Sequence, residues 1–274
     1  MFNFIKSHGL GNDFVIFPEH KNLNISEKLI RFLSDRKTGI GCDLVVFIYK
    51  SDNNYSDLSA RFFNKDGSEA EICGNALRCI GKYYFKKFNK KQLTVETDSG
   101  LIDLEEYSSE KIAVDLGLPN FNWKKIPLGL ETQTENLGIN FNYLKDGFAL
   151  NVGNPHVIFF NQEINNKKLE SEAQKILKTN LFPSGININV VKVISKTEIK
   201  ILTHERGVGL TQACGSGAGA SAFVSNRLKY CDNKIKVQMN GGNLDVEITK
   251  DGHILIIGDA KEVYEGRINL KGYE

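Results

Sequence analysis

Apolar and polar positions alternate along this chain in short runs, and both helical and strand periodicities occur. Residues 26–36 place three apolar side chains on one face of a helix, with Ser26 as its N-cap. Residues 44–49 (LVVFIY) are β-branched or aromatic, which predicts a buried strand. Apolar spacing near residues 169–177 predicts a second amphipathic helix.

Strand pairs with tight turns are predicted in both halves of the chain. Residues 93–97 and 101–105 flank residues 98–100 (DSG), which we interpret as a three-residue hairpin turn. Residues 240–242 (NGG) predict a matching turn. Hairpin-linked strands favour a mainly antiparallel sheet over a doubly wound parallel one.

Two cysteines, Cys73 and Cys214, are separated by about half of the 274 residues, and each is followed by glycine at the start of a predicted helix. Residues 95–105 (VETDSGLIDLE) recur as residues 237–247 (VQMNGGNLDVE) at nearly the same separation. The chain is therefore interpreted as an internal duplication with one cysteine at the same place in each half.

The duplication predicts two domains of one plan. We expect an N-terminal domain over residues 1–117 and a C-terminal domain over residues 118–260, with the tail, residues 261–274, packing back on the first domain. The expected fold class is α+β, with each domain a curved, mainly antiparallel sheet or barrel around a central helix that begins at its cysteine.

Composition narrows the function classes. An apolar content of 41% and a charged content of 25% are typical of a globular protein, and a net charge of +2 gives no support for binding nucleic acid or membranes through bulk charge. No apolar run reaches the length of a membrane span, and the N-terminus does not read as a signal peptide. Five irregularly spaced cysteines predict neither a disulfide framework nor a zinc site, so we expect a cytoplasmic protein without a bound metal.

A thiol at a helix start lies in a positive electrostatic field, which favours the reactive thiolate. The alternative is a buried structural cysteine, and that interpretation suits Cys42, Cys79 and Cys231, which lie in apolar runs or near a helix end. It suits Cys73 and Cys214 poorly because both open helices at equivalent positions.

Polar residues near the predicted helix starts could bind a charged small molecule, although each has a simpler interpretation. Asn12 and Asn154 follow glycine and could be turn residues. Glu205 and Arg206 could form an ordinary surface ion pair, and His156 could be a hydrogen-bonded structural histidine.

Several motifs occur in a fixed order along the chain, namely residues 8–14 (HGLGNDF), 63–69 (FNKDGSE), 73–76 (CGNA), 153–156 (GNPH), 205–209 (ERGVG) and 212–218 (QACGSGA). Together they resemble the diaminopimelate epimerase family over essentially the whole chain.

The resemblance implies a cofactor-independent epimerisation of LL- to meso-2,6-diaminopimelate for lysine and peptidoglycan biosynthesis. One of the pair Cys73 and Cys214 would remove the α-proton as a thiolate, and the other would deliver a proton to the opposite face as a thiol. His156 and Glu205 would tune the two cysteines.

The resemblance also implies a set of substrate-binding residues. The backbones of Gly74, Asn75, Gly215 and Ser216 would hold the α-carboxylate, and Arg206 would hold the distal carboxylate. The remaining contacts would come from side chains of Asn12, Asn64, Asn154, Asn187 and Glu205. Tyr264 matches a dimer contact of some members, which implies a homodimer. Leu44 departs from the pattern because some members carry a substrate-contacting Gln there.

Two other functions remain open from the residues alone. A related two-cysteine racemase, such as a proline or hydroxyproline epimerase, would not need the second clamp offered by Asn64, Asn187 and Arg206. A Cys-His hydrolase would use one cysteine and leave the matched second one without a role.

Overall fold

The computed structural model describes residues 1–18, 24–271 and 273, and it forms two compact units. One unit comprises residues 1–114 and 258–274, and the other comprises residues 115–257. The expected C-terminal tail includes Gly272 and Glu274, which lie outside the described residues.

The first ten elements are β1 (Phe2–Gly9), β2 (Asn12–Phe17), α1 (Glu27–Ser34), β3 (Leu44–Lys50), β4 (Leu58–Asn64), β5 (Glu69–Ala70), α2 (Gly74–Phe88), β6 (Gln92–Thr97), β7 (Gly100–Glu106) and β8 (Lys111–Asp115). The next twelve are β9 (Ile139–Asn140), β10 (Lys145–Asp146), β11 (Phe148–Asn151), β12 (Pro155–Phe160), α3 (Asn166–Leu177), β13 (Asn187–Ser195), β14 (Glu198–Glu205), β15 (Gly209–Thr211), α4 (Gly215–Arg227), β16 (Lys234–Met239), β17 (Gly242–Ile248) and β18 (Ile254–Asp259). The last strand, β19 (Lys261–Ile268), returns to the first unit and pairs antiparallel with β1.

Strand pairing repeats from one unit to the other. Strands β2 and β3 are parallel, as are β12 and β13, and each pair is followed by an antiparallel partner, β4 or β14. The parallel pairs β4–β6 and β14–β16 also correspond, as do the antiparallel series β6–β7–β8 and β16–β17–β18. The predicted α+β class with two units of one plan is therefore confirmed.

Each unit surrounds one helix with its own strands. Helix α2 packs against β1, β2, β6, β7 and β19, and helix α4 packs against β11, β12, β13, β14, β16 and β17. Small residues let strands approach α4 closely: a Cβ at Gly219 would lie 2.9 Å from Leu116 Cδ1 and 3.0 Å from Ile254 Cγ2. The strands packed around α2 and α4 thus hold the N-terminal residues of these two helices in fixed places.

The outer helices bury the faces that the sequence predicts. Ser26 caps α1, and its hydroxyl accepts a hydrogen bond from the Leu29 backbone N–H at 3.2 Å. Leu29, Ile30 and Leu33 are fully buried in the core of the first unit. In the second unit, α3 buries Leu169 in a comparable core.

The predicted three-residue hairpin turn is wrong. Thr97 pairs with Gly100, and Met239 pairs with Gly242, so both turns contain two residues. Gly100 has a φ of 114°, a backbone conformation that glycine adopts without a steric penalty, and this lets it join the strand directly after the turn.

In the described part of the chain, no helix combines the length and apolar composition that crossing a membrane requires.

Candidate active site

Cys73 and Cys214 are the N-cap residues of the two central helices. Their backbone conformations are nearly the same, with φ −140° and ψ 103° at Cys73 and φ −130° and ψ 110° at Cys214. Each carbonyl accepts the first helical hydrogen bond, from Leu77 or Ala218, at 2.9 Å. Because the backbone N–H groups of a helix's first turn have no partner within the helix, each cysteine stands beside donors suited to an anion.

In the first unit, an amide pair lies beside Cys73. The Sγ atom of half-buried Cys73 is 3.9 Å from Asn12 Oδ1, which also accepts a hydrogen bond from Asn75 Nδ2 at 3.4 Å. Asn12 Nδ2 donates to Asp43 Oδ2 at 3.2 Å. The turn between β1 and β2 therefore holds Asn12 over the start of α2, and this unit brings together Asn12, Cys73, Gly74 and Asn75.

Asn64 ends β4 in the same unit. Its Nδ2 donates to Ser68 Oγ at 3.0 Å, and Asn64 pairs with Leu44 in the register between β4 and β3. Leu44 is partly exposed at the start of that strand.

In the second unit, Cys214 belongs to a connected polar group. Its Sγ is 3.6 Å from Ser216 Oγ, and Ser216 Oγ is 3.0 Å from His156 Nε2. His156 Nε2 also lies 3.0 Å from Asn154 Oδ1. Four of the residues singled out in the sequence therefore meet at the start of α4.

The imidazole of His156 is fixed as one tautomer. Asn189 Nδ2 lies 3.0 Å from His156 Nδ1, and an amide nitrogen can only donate, so Nδ1 accepts and Nε2 carries the proton. Exchanging the oxygen and nitrogen of the Asn189 side-chain amide would lose a hydrogen bond, because its oxygen accepts from Thr203 Oγ1 at 2.9 Å. Nε2–H is therefore directed at Asn154 and Ser216.

Burial keeps this histidine uncharged. His156 is fully buried, and that burial, with the nearby positive charge of Arg206, lowers its pKa to about 3. At neutral pH it is a hydrogen-bond donor through Nε2 and not a charged acid.

Glu205 lies beside Cys214 and Thr211. Burial raises the pKa of the Glu205 carboxyl, an effect that these two neighbours oppose. Burial first, and the Glu205 charge second, raise the pKa of Cys214 well above its ordinary value, while the hydroxyl of Ser216 and the backbone N–H of Gly217 favour its thiolate. At neutral pH Cys214 is therefore a protonated thiol, and the neighbouring Glu205 carboxyl can accept its proton.

Arg206 is exposed, and its stem lies against the bare backbone of Gly185, where a Cβ would come within 3.1 Å of Arg206 Cγ. Its backbone N–H donates to Asn187 Oδ1 at 2.9 Å, and Asn187 Nδ2 donates to the Pro155 carbonyl at 2.8 Å. Asn187 thus ties the Arg206 loop to β12 and keeps one N–H and one lone pair for other partners. Glu205 and Arg206 have different neighbours, unlike a simple surface pair.

Tyr264 lies on β19, with 45% of its surface exposed and an edge-to-face contact to Phe4 at 6.0 Å.

Three buried side chains that lie in the hydrogen-bonded groups around the two cysteines were missed by reasoning from the sequence: Arg78, Asn189 and Thr203. Asn189 and Thr203 are polar residues within buried strands, which is a detectable signal. Their use depends on the pairing of β12 with β13 and of β13 with β14, which the sequence does not display.

The family model described as "Diaminopimelate epimerase" matches residues 4–122 and 148–263. Relatives of the same description include one from Zymomonas mobilis, 38% identical over 273 residues, with 99% of each chain covered. Another, from Carboxydothermus hydrogenoformans, is 37% identical over 274 residues, with 97% of this chain and 99% of the relative covered.

Solved structures extend the likeness of fold. A probable proline racemase from Agrobacterium radiobacter has a TM-score of 0.72 at 12% identity, covering 98% of this chain and 93% of that one. A hydroxyproline epimerase from Agrobacterium vitis has a TM-score of 0.69 at 11% identity, covering 97% and 91%. At these identities the likeness concerns the fold alone.

Proposed function

This chain belongs to the diaminopimelate epimerase family, whose enzymes work without pyridoxal phosphate, and we propose that Cys73 and Cys214 are its two acid–base groups. Its reaction is the epimerisation of LL- to meso-2,6-diaminopimelate, a step of lysine biosynthesis. The observation that carries the assignment is the shared N-cap conformation of the two cysteines at equivalent places in a repeated strand order.

Removing an α-proton from an amino acid is difficult because the resulting carbanion has no cofactor to delocalise its charge. One thiolate takes the proton and one thiol returns a proton to the opposite face, so the configuration inverts. The backbone N–H groups of Gly74, Asn75, Gly215 and Ser216 are assigned to the α-carboxylate, where fixed dipoles stabilise the negative charge that develops in the transition state.

The neighbours of Cys214 suit a thiol that donates its proton in one direction of the reaction and is deprotonated by Glu205 in the other. Its thiol is neutral in the structure's resting arrangement, and Glu205 beside it can accept the thiol proton when the reaction runs in the other direction. Neutral His156 holds Ser216 and Asn154 in place through Nε2–H. We assign His156 and Glu205 to this tuning role.

The distal end of the substrate also carries an amino acid group. Arg206 is assigned to the distal carboxylate because a guanidinium binds a carboxylate through two parallel hydrogen bonds. Asn12, Asn64, Asn154, Asn187 and Glu205 are assigned to the remaining polar groups. A second clamp of this kind fits diaminopimelate and has no purpose for proline, a monocarboxylate.

We also propose a homodimer and a cytoplasmic location. Val263 and Tyr264 on β19 are 56% and 45% exposed, which leaves two apolar side chains of this edge of the unit available for contact with a second copy. Sedimentation of Tyr264→Ala beside the unaltered protein tests the dimer, since loss of this contact should shift the enzyme toward monomer. The cysteine usage supports the reducing compartment.

The reaction is tested by incubating the protein with LL-diaminopimelate in D₂O without added cofactor. We expect the meso isomer to form and its inverted α-carbon to carry deuterium, as read by chiral chromatography and mass spectrometry. Deuterium incorporation into proline, with none into diaminopimelate, would favour the related racemase instead.

A further inference from the structure

A cation lies inside the first unit, on α2 and five residues beyond Cys73. The side chain of Arg78 is fully buried, with 0% of its surface exposed. Its Nη2 donates to Asn75 Oδ1 at 2.7 Å, and its Nε donates to the Asp259 carbonyl at 3.1 Å. Among the residues that the structure describes, Nη1 has no hydrogen-bond partner.

This arrangement costs folding free energy, which indicates that the buried charge has a function. Arginine remains protonated in proteins, and a buried charge without a full set of partners destabilises a fold relative to an apolar side chain of similar volume. Three groups lie within electrostatic reach of the guanidinium: Cys73, Cys79 and Asp259. Burial raises the pKa of Cys79 to about 12, so that thiol is neutral, and the possible anions are Cys73 and Asp259.

The position of Arg78 is set by the same amides that surround Cys73. Asn75 accepts from Arg78 and donates to Asn12 Oδ1, which lies 3.9 Å from Cys73 Sγ. That last distance is long for a hydrogen bond, so the charge of Arg78 acts on the sulfur mainly through space. The side-chain amides of Asn75 and Asn12 hold the guanidinium in place.

Other charges near this group balance one another. Asp43, which accepts from Asn12, and Asp13 share the cations of Lys6 and Arg36. These four side chains form a compensated set, and Arg78 and Asp259 are two further charged groups near α2.

The duplicated half has the opposite electrostatics. Residues 73–78 read CGNALR, and the equivalent residues 214–219 read CGSGAG, so Gly219 stands where the first half has Arg78. A Cβ at Gly219 would already crowd Leu116, which leaves no room for a side chain. Cys214 has the carboxyl of Glu205 beside it instead of a cation.

We propose that Arg78 is the counter-charge of the Cys73 thiolate, a positioning residue that holds this cysteine as the resting base while Cys214 remains the resting acid. The inference rests on the proposed function only for the catalytic use of Cys73. The ionisation of that thiol can be measured without turnover.

The test is the pH dependence of Cys73 alkylation by iodoacetamide, followed by mass spectrometry of its peptide, in a Cys214→Ser background. Arg78→Met should move the alkylation midpoint upward by about one pH unit or more, because a nearby opposite charge shifts ionisation by that amount. Arg78→Lys, which keeps the charge, should stay close to the unaltered midpoint. Lys82→Met removes a partly exposed charge one turn further along α2 and serves as the matched control.

An unchanged midpoint in Arg78→Met would overturn the proposal, as would equal shifts in Arg78→Met and Arg78→Lys. If circular dichroism shows that Arg78→Met does not fold, Asn75→Asp places a carboxylate against the guanidinium with almost no change of shape. It should raise the midpoint as well, and an unchanged midpoint there would be equally contrary. Epimerase activity in Cys73→Ser would contradict the proposed function. The alkylation midpoints of Cys73 in the other variants would still test the role of Arg78.

Discussion

Asn189 donates a 3.0 Å hydrogen bond to Nδ1 of His156 and thereby sets which nitrogen of the imidazole carries the proton. Replacing it by Asp should reverse this setting, because the new carboxylate accepts a hydrogen bond from Nδ1–H and leaves Nε2 facing the oxygen of Asn154. We expect kcat to fall about tenfold or more, an order set by the loss of one positioned hydrogen bond. Nitrogen-15 NMR of the imidazole reports the tautomer directly.

The exposed residue Asn243 on β17 provides the control. Asn243→Asp makes the same chemical change away from His156 and should leave both kcat and the imidazole spectrum unaltered. An Asn189→Asp enzyme with full kcat and a protonated Nδ1 would show that the tautomer has no role.

Loss of either thiol should stop epimerisation. Cys73→Ser and Cys214→Ser should each reduce kcat by at least about 10³-fold, because an alcohol is a far weaker acid than a thiol at neutral pH. Cys231→Ser is the matched control, since Cys231 is 4% exposed and its thiol donates to the Ser195 carbonyl at 3.4 Å, away from both helix starts. Chiral chromatography of the product measures all three. Full activity in either of the first two would contradict the two-thiol mechanism.

The elements that sequence reasoning found are those with local causes. The N-cap at Ser26, the apolar face of α1 and the helices at Cys73 and Cys214 each follow from neighbouring residues, and the structure confirms them. The length of the hairpin turn at Gly100 was wrong because pairing register, and not composition, decides whether a glycine belongs to the turn or to the strand.

The parts of the site that could not be predicted depend on contacts across the sheet. Asn189 reaches His156 only because β12 and β13 run parallel in a particular register. Arg78 stands in a helix where a charged residue is expected at the surface, and its complete burial follows from the strands that close around α2. Motif likeness indicated Cys73 and Cys214, but the charge around each depends on tertiary structure.

Acid should destabilise the fold through His156. The pKa of this imidazole is about 3 in the folded protein and near 6.5 when unfolded, so below pH 6.5 the unfolded chain binds a proton that the folded chain does not. The contribution is fully present above pH 6.5 and is lost as pH falls toward 3, with a slope approaching about 1.4 kcal/mol per pH unit. His156→Asn should remove this slope.

Urea unfolding at pH 7, 6 and 5 measures the difference between the two proteins, and this range lies above the titration of most carboxylates. His204, whose pKa burial also lowers, remains in both proteins and cancels in the comparison. Parallel pH profiles of the unfolding free energy would contradict the assignment of the slope to His156.

Gly217 leaves room for the Asn189 side chain. A Cβ at this position would lie 2.6 Å from Asn189 Oδ1, so Gly217→Ala must displace an amide that Thr203 and His156 hold. We expect kcat to fall and the imidazole spectrum to change, with a loss of about 1–3 kcal/mol in unfolding free energy from overpacking.

Gly219→Ala, two residues further along α4, is the matched control. Its Cβ would crowd Leu116 and Ile254, which are apolar, so it should reduce stability by a similar amount while leaving the His156 spectrum unchanged. Equal loss of kcat in the two variants at equal stability would assign the effect to packing rather than to Asn189.

Arg206 should determine the preference for a substrate with two carboxylates. In Arg206→Met the KM for diaminopimelate should rise about 30-fold or more, corresponding to about 2 kcal/mol for hydrogen bonds between charged groups. Lysine, which lacks the distal carboxylate, should inhibit the variant and the unaltered enzyme with similar constants. Lys200→Met removes a positive charge on β14, the strand that Arg206 follows, and should change neither value. If Arg206→Met weakens lysine and diaminopimelate binding equally, the guanidinium acts on the shared α-amino acid group and the distal assignment is wrong.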